Sequence, residues 1–119
     1  MTTRLSPYGS IISRWTVVER ITDPNLAYLK ARIFLSDNTM LSVFDKFYPP
    51  TGVRKYGYDW RDASNNLIIR WDNAPHHHSI STFPHHKHVT LESNILESPE
   101  MTLEDALDFI KTEITSRTL

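Results

Sequence analysis

The stretch YLKARIFL, residues 28–35, decides the fold because apolar and polar side chains alternate along it. The apolar set is Leu29, Ala31, Ile33 and Leu35, and the set between them is Tyr28, Lys30, Arg32 and Phe34. A period of two is typical of a strand that is buried on one face only. A helix over residues 26–35 is the competing interpretation, and the strict alternation favours the strand.

Neighbouring segments extend this strand into an antiparallel meander. Residues 36–38 are typical of a hairpin turn, and residues 63–66 form the turn of a second hairpin. The predicted strands, in chain order, lie near residues 13–21, 28–35, 39–47, 56–60, 67–71 and 87–91. The sequence therefore predicts a mostly antiparallel sheet of five to six strands.

A helix is predicted for residues 102–117, at the end of the chain. Its apolar side chains recur at helical spacing and are Leu103, Ala106, Leu107, Ile110 and Ile114. Thr102 is a good N-cap, and Asp105 stands at the position of the capping-box partner. We predict an α+β fold with this helix packed on one face of the sheet. Residues 1–119 are expected to form a single domain, with a loose N-terminal arm at residues 1–9.

Composition limits the class of protein. A chain of 119 residues can bury roughly two-thirds of its unfolded surface, so it needs no disulfide or metal for stability. It contains no cysteine, which excludes thiolate zinc sites and fits a reducing cytoplasm. No apolar run approaches the roughly 18 residues of a membrane span, so we expect a soluble cytoplasmic protein. The formal net charge is −1, so an anionic partner must be met by a local basic patch.

All six histidines fall between positions 76 and 88. Pro75 and Pro84 interrupt this region, and residues 72–86 are predicted to form an irregular loop. The unperturbed pKa of histidine lies near neutrality, so a group of histidines suits proton transfer, metal binding or pH sensing. A solvated polar loop is the alternative, but the density of histidines favours a functional one.

Two kinds of chemistry are open to these side chains. Zinc could be bound by His77, His85, His86, His88 and Asp72, but their spacing matches no standard zinc motif, and we predict neither metal nor other cofactor. RNA cleavage instead needs a base, an acid and a cation that stabilises the phosphorane. The predicted catalytic residues are His85, His86, His88, Lys87, Arg70 and Asp72. Asp72 would orient a histidine, and capping a turn is its alternative role.

The run RKYGYDWR, residues 54–61, interleaves basic and aromatic side chains and is continued by Arg70 and Trp71. Such residues offer phosphate contacts and stacking faces for unpaired bases. The predicted substrate-binding residues are Tyr58, Arg61, Trp71, Asn73, His76 and His77. At alternating positions of a strand, however, Tyr56, Tyr58 and Trp60 are more often core residues, and that interpretation stays open.

Several segments resemble the TumE family of bacterial toxin–antitoxin toxins. They are residues 55–63, 67–77, 81–88 and 101–110, within a resemblance that spans roughly residues 27 to 111. The most specific strings are RWDNAPHH, residues 70–77, and FPHHKH, residues 83–88. The resemblance implies a toxin encoded beside a helix-turn-helix antitoxin. The family has been likened to RelE-type toxins, which cleave mRNA without a metal, often on the ribosome.

The predicted function is therefore a toxin that acts as a metal-independent ribonuclease. Its expected partners are the antitoxin and RNA, with ribosome-bound mRNA and a homo-oligomer left open. One alternative is a non-enzymatic module whose histidine loop binds the antitoxin or a nucleic acid. The other is a metal-dependent hydrolase that uses the same histidines.

Overall fold

The computed structural model describes residues 1–117, so the last two positions of the predicted 1–119 domain lie outside the described residues. These residues form one seven-stranded sheet in which all neighbours are antiparallel and the strand order follows the chain. The strands are β1 (Ile12–Asp23), β2 (Leu26–Leu35), β3 (Met40–Tyr48), β4 (Val53–Arg61), β5 (Leu67–Asp72), β6 (His86–Val89) and β7 (Ile95–Glu97). The helices are α1 (Thr2–Leu5), a 3₁₀ turn (Ser6–Tyr8) and α2 (Leu103–Arg117). The predicted α+β meander with a C-terminal helix is confirmed.

The sheet has one strand more than the highest predicted number. β7 has only three residues and pairs with β6 at the edge of the sheet. A segment of this length is too short to show a period of two, which is why the sequence did not reveal it.

Alternation gives the sheet two faces of different composition. The core face carries the apolar half of each strand, and residues such as Ile33, Leu41 and Trp60 are at most 1% exposed there. Ile33 lies opposite Leu41, and Leu41 lies opposite Trp60, so apolar side chains meet across three strands. The opposite face carries the intervening residues, among them Lys30 and Arg32 of β2, and is called the open face below.

Helix α2 packs on the core face with the predicted apolar stripe inward. All five residues of the stripe are buried, and each such Leu or Ile contributes about 1.5–3 kcal/mol to stability. Its N-terminus forms the predicted capping box, because the Thr102 amide donates to Asp105 (2.9 Å) and the Asp105 amide donates to Thr102 Oγ1 (3.1 Å). Among residues 1–117, no helix is long and apolar enough to cross a membrane.

The N-terminal segment is packed rather than loose, which corrects the prediction for residues 1–9. Leu5 and Tyr8 are buried in the same core as α2. The Tyr8 hydroxyl donates to Asp108 Oδ1 (2.8 Å), and burial together with this bond raises the pKa of Tyr8 to about 12. Arg4 adds an ion pair with Glu104 at 2.6 Å. These contacts depend on α2, a hundred residues away, so no local pattern could indicate them.

Candidate functional site

The strand register brings four predicted site residues together on the open face. Asp72 lies opposite His86, and Arg70 lies opposite His88, across the β5–β6 pair. Because alternate residues of a strand point to the same face, these four side chains share one face at the end of the sheet. Their neighbour Lys87 lies opposite Trp71 and points to the core face.

The loop at residues 73–85 adds a third histidine to this group. The ring centre of His77 lies 4.8 Å from that of His86 and 5.7 Å from that of His88, and the latter two are 5.0 Å apart. One nitrogen of each ring lies within 4.8 Å of the others, so this trio could hold a metal ion. We call His77, His86 and His88 the histidine cluster. His86 and His88 are buried, while His77 is half-buried and forms its outer side.

Hydrogen bonds fix the orientation of the two buried rings. His86 Nδ1 lies 2.9 Å from the Pro84 carbonyl oxygen, and His88 Nδ1 lies 2.8 Å from that of Glu92. A carbonyl oxygen only accepts, so each Nδ1 carries the proton and donates it. Both Nε2 atoms then face Asp72, at 2.9 Å for His86 and 3.5 Å for His88. The carboxylate of Asp72 thus stands where the two rings converge.

Arg70 supplies a fixed positive charge beside the cluster. Its guanidinium contacts Glu92 at 2.6 Å, Asp72 at 3.2 Å and Asp59 at 3.7 Å. Partial burial lowers the pKa of Arg70, but the hydrogen bond and charge of Glu92, followed by those of Asp72, raise it overall. The same hydrogen bond lowers the pKa of Glu92. Arg61 joins this network through Asp59 (2.7 Å) and Glu92 (3.3 Å), so it lies near the cluster as predicted for a substrate contact.

The neutral form of His77 is favoured by its surroundings. Desolvation lowers the pKa of His77, and the nearby rings of His86 and His88 lower it further. A neutral imidazole has a free nitrogen lone pair, which can accept a proton or bind a metal ion. His77 is therefore the chemically available member of the cluster.

Two predicted catalytic residues do not join this group. His85 lies on the core side of the sheet, where Nδ1 is 2.8 Å from the Tyr56 hydroxyl and the ring stacks on Tyr56. Lys87 lies opposite Trp71 across the β5–β6 pair, so it also points to the core side. The predicted grouping of His85 with His86 and His88 is not formed, because consecutive residues around β6 point to opposite faces. His77, which was predicted to bind substrate, takes that place.

Three of the predicted substrate-binding residues have structural roles. Tyr58 and Trp71 are 0% and 3% exposed, and both lie in the core, as the alternative interpretation of the aromatic run expected. Asn73 continues the edge of β5, because its side chain accepts from the Tyr56 amide (2.9 Å) and donates to the Arg54 carbonyl (2.8 Å). His76 is exposed on a turn outside the cluster.

Sequence reasoning missed the cations and rings that cover the rest of the open face. Within residues 1–117, no ion pair involves Arg14, Lys30, Arg32, Lys46 or Lys55. Aromatic rings lie among them: Tyr28 meets Phe44 edge-on at 5.7 Å, and Arg14 stacks on Phe34 at 3.8 Å. The available signal was the polar half of the YLKARIFL alternation, which is entirely basic or aromatic.

Two grooves lie among these rings and cations, and one of them reaches Arg70. A groove of about 320 Å³ runs across the sheet from Lys30 and Arg32 to Arg70. A second, of about 490 Å³, lies between Lys55 and the start of the histidine loop at Pro75. Phe44 lines both grooves, so the two adjoin each other at this ring.

Comparison with known protein families identifies a match that covers nearly all of the chain. A family model described as "Toxin TumE" matches residues 3–117. No curated protein and no solved structure matches the chain.

Proposed function

The chain belongs to the TumE toxin family and is a toxin of a toxin–antitoxin system with a cognate antitoxin as its partner, and on that premise we propose that it is a ribonuclease. RNA binds along the open face and is cleaved beside the histidine cluster. The observation that carries this proposal is the set of cations on that face for which residues 1–117 provide no ion pair, next to a cluster of histidines and a fixed arginine.

The cations on the open face are arranged as an anion-binding surface. Lys46 and Lys55 lie directly opposite each other across β3 and β4. Like charges in that position destabilise a sheet unless an anion lies between them. Since the whole chain carries a formal charge of −1, the positive charge of this face is a local feature rather than a property of the composition. Phosphate groups are the anions that such surfaces commonly bind.

The rings between these cations favour single-stranded RNA over other polyanions. Tyr28 and Phe44 lie on neighbouring strands and are half-buried, so part of each ring remains accessible. Unpaired bases stack on such rings, with about 1–3 kcal/mol per base. Lys46 lies 5.3 Å from the centre of the Tyr28 ring, so a phosphate contact and a stacking surface are adjacent.

Cleavage of RNA requires a group that takes the 2′-hydroxyl proton and a cation that stabilises the developing phosphorane charge. The 2′-oxygen then bonds to phosphorus, the bond to the 5′-oxygen breaks, and the leaving 5′-oxygen takes a proton from solvent water. Arg70 provides the cation, held in place by Asp72 and Glu92. The histidine cluster provides the proton acceptor, for which the imidazole of His77 is the candidate. The reaction then takes place on the outer side of the cluster, where His77 is only half-buried.

The test is growth arrest together with RNA integrity in a bacterium that expresses the toxin. We expect wild type and the control variant His78→Ala to arrest growth and degrade RNA, and His86→Ala to do neither. Circular dichroism and thermal melting would establish whether each variant is folded. The purified proteins are then incubated with labelled single-stranded RNA.

Two results would contradict the proposal. If wild type arrests growth while RNA stays intact, in the cell and in the tube, the chain is a binding module or acts on another substrate. If folded His86→Ala cleaves RNA as wild type does, cleavage is not centred on the cluster. A gene for a small helix-turn-helix protein next to the toxin gene would support the predicted type of antitoxin.

A further inference from the structure

The histidine cluster has the geometry of a metal site. We propose that His77, His86 and His88 bind one divalent transition-metal ion of the zinc class, with Asp72 as the anionic neighbour that offsets part of its charge. The inference rests on the arrangement of the rings and holds whether or not the protein cleaves RNA. If both proposals are correct, an ion held by these three histidines would supply Lewis-acid chemistry to the cleavage reaction.

The direction of the ring nitrogens is the first argument. The Nδ1 protons of His86 and His88 are donated to the carbonyl oxygens of Pro84 and Glu92, so the lone pair of each neutral ring is on Nε2. Both lone pairs point toward the carboxylate of Asp72, at 2.9 and 3.5 Å. The two lone pairs and the carboxylate therefore face a common point, where a positive charge is favoured. A metal ion bound by both lone pairs would supply that charge, with Asp72 beside it as a neighbour.

The backbone also holds these rings in a suitable orientation. A backbone carbonyl on Nδ1 is the usual way in which proteins orient a histidine that binds metal through Nε2. His86 and His88 are both buried, so their Nε2 atoms are held in place beside Asp72.

The spacing of the rings is the second argument. With zinc–nitrogen bonds of about 2 Å in tetrahedral geometry, three bound imidazoles have ring centres about 5 Å apart. The three observed separations are 4.8, 5.0 and 5.7 Å, and the ring planes cross at 71–77°. The nitrogens lie within 4.8 Å of one another, and binding would draw them to roughly 3.3 Å, a movement that the loop carrying His77 can supply.

The ligand set indicates which metals fit. Three imidazoles suit zinc, nickel, copper and iron, whereas magnesium and calcium prefer oxygen ligands. With His86 and His88 buried and His77 half-buried on the outer side, three protein ligands would leave an ion one further position on that side. Three protein ligands and an open position are typical of catalytic rather than structural zinc sites. The interval between His77 and His86 matches no zinc motif because the fold of the loop, not a fixed spacing, brings them together.

The experiment is a zinc titration of protein that carries no affinity tag and has been freed of metal with a chelator. We expect wild type and the control His85→Ala to bind one zinc per chain, and His77→Ala, His86→Ala and His88→Ala to bind at least about 100-fold more weakly. Substitution with cobalt should give the intense visible absorption of tetrahedral coordination. Zinc should also raise the melting temperature of wild type but not of His77→Ala, a surface variant that is expected to fold.

Failure of wild type to bind zinc at micromolar concentrations would overturn the inference, as would equal binding by a His77→Ala/His86→Ala/His88→Ala triple variant. Zinc binding is measured without RNA, so its outcome is separate from that of the cleavage test. Stoichiometric zinc without RNA cleavage would support the site and refute the ribonuclease. RNA cleavage by a chain that binds no zinc would support the ribonuclease and refute the metal site.

Discussion

The two faces of the sheet use the same residue types for opposite purposes. On the core face, His85 pairs with Tyr56, and Arg54 pairs with Asp45, so each polar group has a partner inside the protein. On the open face, one residue further along the chain, His86 joins a cluster with a free outer side. Residue type alone therefore does not separate structural from functional positions in this protein. The direction in which the strand points each side chain does.

The largest test of this comparison uses two neighbours on β5 that point to opposite faces. Trp71→Ala removes a ring that is 3% exposed and packs edge-on against Phe109, so we expect a loss of about 3–5 kcal/mol in the free energy of unfolding. Arg70→Gln removes only partly exposed ion pairs, each with a contribution of about 1 kcal/mol or less. Urea denaturation gives both values.

Toxicity should respond to the two variants in the opposite order to stability. Arg70→Gln should stay folded and lose toxicity, because the cation beside the cluster is gone. Trp71→Ala should lose toxicity only to the extent that it unfolds, which expression at a lower temperature would reveal. If Arg70→Gln unfolds as readily as Trp71→Ala, Arg70 is a structural residue and the division between the faces is wrong at this point.

The comparison also explains what could be predicted from the sequence. The alternation at residues 28–35 and the stripe of α2 predicted the sheet, the helix and the core, because these patterns are local and repeat several times. The compact group of His85, His86 and His88 was not formed. Neighbouring residues around a strand diverge, and His77 comes from a loop whose path depends on tertiary contacts. The packed N-terminus and β7 were missed for the same reason, since neither has a local period.

A smaller effect on stability is expected at the Lys46–Lys55 pair, where two like charges face each other across the open face. Lys55→Glu would turn the Lys46–Lys55 pair into a cross-strand pair of opposite charges, which should stabilise the sheet by about 0.2–1 kcal/mol. The same change should weaken binding of single-stranded RNA roughly tenfold and reduce the slope of log affinity against log salt by about 1. Fluorescence anisotropy at several salt concentrations measures both quantities.

A matched charge change on the other side of the molecule separates these effects. The matched variant is Lys111→Glu. Lys111 lies on α2, where it donates to the Pro7 carbonyl oxygen, far from the open-face cations. It should leave the RNA affinity within about twofold of wild type, although it changes the net charge by the same amount as Lys55→Glu. Equal weakening by both variants would mean that RNA responds to total charge rather than to the open face.

The smallest effect is expected for the ion pair that holds α1 to α2, on the side of the protein that carries no predicted chemistry. Arg4 and Glu104 are 42% and 41% exposed, so Glu104→Gln should cost less than about 1 kcal/mol and leave toxicity unchanged. The hydrogen bond from Arg4 lowers the pKa of Glu104 below its ordinary value of 4.5. The folded state therefore favours the carboxylate, and this stabilisation is fully present above pH 4.5 and is lost as the pH falls through the folded pKa. The difference in unfolding free energy between wild type and Glu104→Gln should accordingly be measurable near neutral pH and vanish in acid. A difference that grows in acid would mean that the pair does not stabilise the contact between α1 and α2.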